Sequence, residues 1–140
     1  MGIKVKERRR ARIHAVQAIY QKYMAETPLD ELKEQYYSDN VNRHPVDWEF
    51  FYNLLNGVDE HQNEIDQHIR PNVDREFSSI NPIELAILRL GVYELLFRLD
   101  IPFQVVIKEY VSYTMDMGAE DGHKFVNGLL DKLAKSLRVA

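Results

Sequence analysis

The chain has 140 residues, 45% of them apolar, and a formal net charge of −4. That is enough apolar material for one domain with a sizeable interior. No uncharged apolar run of roughly 18 residues exists to span a membrane, and no apolar stretch follows the first cations to make a secretion signal, so a soluble, cytoplasmic protein is expected. The absence of cysteine excludes a disulfide framework, a thiolate zinc site and a cysteine nucleophile.

The charge is unevenly placed. Lys4, Lys6, Arg8, Arg9, Arg10 and Arg12 against Glu7 give the first twelve residues +5 and leave −9 on the rest. A basic arm on an acidic body points to an anionic partner, nucleic acid before membrane, because no apolar face at the N-terminus would insert. Of these cations, Lys6, Arg8, Arg9, Arg10 and Arg12 are candidate phosphate contacts. The plainer alternative is a solubilising or frayed terminus. Stability does not recommend cations there, since the positive end of a helix dipole disfavours them.

In chain order, Ile13, Val16, Ile19, Tyr20, Tyr23 and Met24 recur at helical spacing and predict a first helix over about 7–24. Thr27-Pro28 reads as a cap and first-turn proline before a short helix with Leu29, Leu32, Tyr36 and Tyr37. A third helix runs from about Val46 or Asp47 to Ile69, with a kink or a close helix contact expected at Asn56-Gly57. The stretch 80–98 is apolar on nearly every side and predicts a central buried helix. Asn81 is its cap, Pro82 its first residue, Glu84 a reciprocal capping partner, and Ile80 a staple against Leu85. A fifth helix carries Phe103, Val106, Ile107, Tyr110 and Val111 and stops at Gly118. A sixth spans about 121–137. The expected class is all-α, six or seven helices in one domain, with two three-helix halves (about 1–70 and 80–140) packed around the central helix.

Catalysis has no foothold in these residues. There is no glycine-rich phosphate loop or nucleophile elbow, and His61 and His68 are too far apart on one helix to share a metal, so neither an enzyme, a cofactor nor a metal site is expected. On the central helix, Glu94 and Arg98 are spaced to pair within the helix, and Arg89 and Tyr93, also four apart, could line a polar contact with another helix. At the start of the last helix, Asp121, Lys124 and Phe125 combine free backbone N–H groups, a cation and a ring that could stack on an unpaired base. Equally, Phe125 could open the core stripe and Asp121 merely cap.

Three segments carry a family resemblance. They are Arg8-Arg9-Arg10-Ala11-Arg12 followed by Ala15-Val16-Gln17-Ala18-Ile19-Tyr20; Ile83 through Leu95 with Asp100-Ile101-Pro102; and Gly118 through Lys132. In order and spacing the chain resembles the NusB family of bacterial transcription antitermination factors over nearly its whole length. The resemblance implies an all-α fold and a non-enzymatic role in binding the boxA element of nascent ribosomal RNA transcripts jointly with the small ribosomal-subunit protein NusE, as part of the RNA polymerase antitermination complex. It implies RNA contacts at Arg8, Arg9, Arg10, Asp121, Lys124 and Phe125, and places Tyr20 and Glu84 towards NusE. A homodimer covering the same surface is compatible with the sequence. The chain departs from the family pattern at Ile13, along the fifth helix around Lys108, Tyr110, Ser112 and Thr114-Met115-Asp116, and at Gly122, where a serine is usual. Two other functions are consistent with the residues: the RNA-targeting domain of a ribosomal RNA methyltransferase, and an interaction protein without RNA.

Overall fold

In a computed structural model, residues 2–138 are described, with side chains from residue 4 onward. The helices are α1 (Gly2–Ala25), α2 (Leu29–Asn40), α3 (Trp48–Ile69), α4 (Pro82–Phe97), α5 (Phe103–Met117) and α6 (Gly122–Leu137), with single 3-10 turns at Arg70–Asn72 and Phe77–Ser79. No strand occurs among the described residues.

The centre is α4. Asn81 accepts from the N–H groups of Ile83 and Glu84 and so satisfies two of the free donors at the helix start. Every residue from Glu84 to Leu95 is buried, and α4 packs against α1, α3, α5 and α6. Glu84 does not complete a reciprocal cap; its carboxylate turns to the α5–α6 connection instead. The far end is closed by Arg138, whose guanidinium donates to the carbonyls of Glu94, Leu95, Arg98 and Ile101. The carbonyls at the end of α4 and in the turn after it thereby gain donors from the end of α6.

Several local expectations shift. The first helix starts at Gly2, not near Glu7, so the basic arm is itself the first turns of α1. Its buried face is Ala11, Ala15, Val16, Ala18 and Ile19, a stripe of small residues that lets α1 lie close on α4, while Tyr23 and Met24 are exposed. In α2, Pro28 occupies the cap position rather than the first helical one. Within α3 the break in helical geometry falls at His61 (φ −113°, ψ 18°), whereas Gly57 is a close contact: a Cβ there would overlap the Tyr93 ring. At α6, Asp121 takes a left-handed conformation (φ 64°) and makes no side-chain capping bond.

Candidate nucleic-acid interface

The cations at the start of α1 divide by where their helical positions point. Lys4 and Lys6 are exposed and have no ion pair among the described residues. Arg8 lies 3.6 Å from Asp47 and over the Phe50 ring. Arg9 forks onto Glu109 of α5 (Nε–Oε1 3.0 Å, Nη2–Oε2 3.1 Å) yet keeps nearly half its side chain in solvent. Arg10 donates to the Pro45 carbonyl before α3.

Arg12 corrects the sequence reading. It is 3% exposed and donates twice to Glu94 of α4, which also accepts from the Tyr110 hydroxyl. Burial lowers an arginine's proton affinity, but the bond and charge of Glu94 outweigh it and hold Arg12 more firmly protonated than usual. A guanidinium so enclosed is not offered to a phosphate; it joins α1 to the central helix. Stability therefore does explain part of the arginine run, because carboxylates from α4 and α5 offset the unfavourable helix dipole.

The pair expected within α4, Glu94 with Arg98, does not form, whereas Arg89 and Tyr93 make the inter-helix polar contacts expected of them. Arg89 forks onto Asp66 of α3, Tyr93 accepts from Asn53, and Arg98 reaches Asp100 and Asn53. The inward face of α4 carries so much polar chemistry that each group needs a partner on a neighbouring helix.

At the start of α6, Asp121 and Lys124 are both largely exposed and 3.5 Å apart, a surface pair of small energetic weight. Phe125 takes up the core stripe while keeping part of its ring outside the interior. It is half-buried and packs on the core, and the Arg75 guanidinium lies over its ring at 4.0 Å from the centroid. One flat cation thus already occupies a stacking position on Phe125. Sequence reasoning missed Arg75 because it is distant in the chain, in the connection before α4, with no local signal.

Helix α5 supplies a wall to a cavity beside each of the two basic regions. On one side, a cleft of about 360 Å³ is lined by Arg8, Arg9, Pro102, Val105 and Lys108 among others. On the other, a groove of about 390 Å³ between α5 and α6 is lined by Lys108, His123 and Lys124 around Ile107, Val111 and Met115. Lys108 forms part of both walls.

The residues read as facing a protein partner lie elsewhere. Tyr20, partly exposed, lines an open groove with Gln17, Met24, Tyr36, Ile83 and Met117. Glu84, next in the chain to Ile83 of that groove, is 3% exposed and accepts from the Ala119 N–H at 2.9 Å, with Gly118 and Gly122 packed against its carboxylate. A side chain at Gly122 would collide with that carboxylate, so the glycine, where the family usually has serine, fits the inward seat of Glu84 in this chain.

Residues 9–135 match the model of the NusB family. The chain belongs to that family. It is 43% identical over 98% of its length to the transcription antitermination protein NusB of Marinobacter nauticus, of which it covers 86%, and 48% identical over 94% of its length to NusB of Pseudomonas syringae pv. tomato, of which it covers 79%. A solved structure of T. maritima NusB superposes with a TM-score of 0.80 at 30% identity, covering 91% of this chain and 89% of that one. The NusB-type all-α fold around α4 is thus shared at the level of coordinates as well as sequence.

Proposed function

We propose that this NusB-family chain acts in the cytoplasm as a non-enzymatic transcription antitermination factor. It grips single-stranded boxA RNA of nascent ribosomal transcripts, and docks NusE through the Tyr20 groove, within an RNA polymerase antitermination complex. The observation that carries the RNA part is the cation set at the head of α1, exposed Lys4, Lys6 and Arg9 with half-buried Arg8, on a body that is otherwise strongly acidic. Cations arranged on one helix end take phosphates, and the Phe125 ring at the start of α6 takes a base in place of the Arg75 guanidinium, which together are the two elements of single-strand recognition. Arg12 is left out of the contact set and Glu84 contributes by fixing the α5–α6 connection beside the partner groove rather than by presenting its charge.

The test is a titration of labelled boxA RNA with NusE present, at two salt concentrations. Arg8→Ala with Arg9→Ala is expected to weaken binding and flatten the dependence of affinity on salt, since each phosphate that the protein ceases to neutralise takes about 0.7 from the slope for a single strand. Unchanged affinity and slope in a folded double variant would reject the assignment.

A further inference from the structure

We infer that the groove between α5 and α6 is a second base-binding subsite, in which one unpaired nucleobase lies on Ile107, Val111 and Met115 while Lys108 and Lys124 hold the phosphates on either side of it. The inference rests on the RNA-binding reading above and extends it to residues that reading does not use.

Three observations support it. The lining surface inside the groove is almost wholly apolar, and Met115, 63% exposed, leaves part of that floor open to solvent. A flat aromatic ligand gains by covering such a surface, and bases stack or pack on it with little regard to sequence. Next, no carboxylate lines the groove, although residues 13–140 carry a net −9; the polar rim is Lys108, His123 and Lys124 with two neutral side chains. Lys124 has only its exposed contact with Asp121, and Lys108 has no ion pair among the described residues. An apolar slot edged by cations matches a nucleotide, which is apolar in its base faces and anionic in its linkages.

The third observation is continuity. Lys108 stands on the ridge of α5 and belongs to both the cleft holding Arg8 and Arg9 and the groove holding Lys124. A strand leaving the α1 arginines therefore crosses α5 at a cation before it reaches α6. Two carboxylates line the cleft holding Arg8 and Arg9, and both are engaged by neighbours: Asp100 accepts from Arg98, and Glu109 from Arg9 and the Tyr113 hydroxyl.

The experiment compares the full chain with Lys108→Gln and Ser112→Trp in anisotropy titrations of a fluorescein-labelled boxA RNA with NusE present. Both positions are exposed, so melting temperatures should match the parent. Lys108→Gln is expected to bind about 5-fold to 10-fold more weakly, with the salt slope reduced by about 0.7. Ser112→Trp, which fills the groove with its own ring, is expected to weaken binding similarly with the slope unchanged, because it displaces a base and no charge. If both variants bind like the parent while Arg9→Ala is impaired, the subsite is overturned and the RNA reading stands. If the parent itself does not bind the RNA, the underlying reading falls and the subsite with it. Sedimentation distinguishes the remaining occupant: a monomer–dimer shift in Ser112→Trp at unchanged RNA affinity would make the groove a face for a second copy of the chain and overturn the proposal.

Discussion

Arg12 and Glu94, 82 residues apart in the chain, meet fork to fork inside the protein, with Nε–Oε2 at 2.9 Å and Nη2–Oε1 at 3.0 Å and neither side chain more than 4% exposed. Removing one member strands the other as a buried charge, which costs far more than the pair itself contributes. Arg12→Ala is therefore expected to lose roughly 3–5 kcal/mol of unfolding free energy, measured as a lower urea midpoint at an unchanged slope. Arg12→Lys should recover little of this, since an ammonium cannot replace the planar two-point contact. A loss of under about 1 kcal/mol, the range of an exposed pair, would contradict the burial seen here.

Gly57 and Tyr93 give a second test of packing. A methyl group at position 57 would overlap the Tyr93 ring, which is held by the stacked Phe97 ring and at its hydroxyl by Asn53. Alanine would gain about 1 kcal/mol in helix propensity. Overpacking against a fixed ring costs typically about 1–3 kcal/mol, so Gly57→Ala should be destabilising or at best neutral, whereas Gly128→Ala, which meets open space, should be stabilising. Thermal melts of the two variants side by side decide it, and a gain at position 57 equal to that at 128 would reject the contact.

The overall fold is legible in the sequence because α4 announces itself: an apolar run with Asn81, Pro82 and Glu84 at its head can only be an inner helix. The stop at Gly118 and the inward stripe of α6 are legible for the same local reasons. Pairings between helices are not. Spacing alone matches Glu94 with Arg98 four residues on, but its carboxylate is inside, and the nearest cation that can follow it there comes from α1. In the same way the arginine run reads as one uniform basic surface. Helical rotation assigns Arg9 to the α5 side, Arg10 to the chain before α3 and Arg12 to the interior, which only the packing of α1 on α4 can decide.

Phe125 needs a variant that separates its two roles. Alanine would open space in the packing as well as remove the ring, so a loss of RNA binding would be ambiguous. Phe125→Leu keeps most of the apolar volume and removes the stacking face from beneath Arg75. Stacking is worth about 1–3 kcal/mol per base, so boxA affinity should fall between roughly 5-fold and 150-fold while the melting temperature changes little. Equal RNA affinity in parent and leucine variant would assign the ring to packing alone.

Glu109 sets an acid limit on the α1–α5 contact. Burial by itself pushes its carboxyl up, but the bonds from Arg9 and the Tyr113 hydroxyl, with the charges of Arg9 and Arg12 nearby, prevail and hold it below its ordinary value. A glutamate in the unfolded chain titrates near about 4.3. With the folded value lower, the unfolded chain binds the proton first as pH falls, so the stabilisation is complete above the unfolded value and is lost progressively down through the folded one. Unfolding free energy measured from pH 7 to pH 3 should therefore drop more steeply below about pH 4.3 in the parent than in Glu109→Gln. The difference in slope is bounded by one proton, about 1.4 kcal/mol per pH unit. Because Arg9 is among the proposed phosphate contacts, the same protonation releases it from Glu109, so the parent's affinity for RNA should hold or rise in that window relative to a variant in which Arg9 is already free. Parallel stability curves for parent and glutamine variant would show that the carboxylate is not favoured in the folded chain and would remove the basis for this coupling.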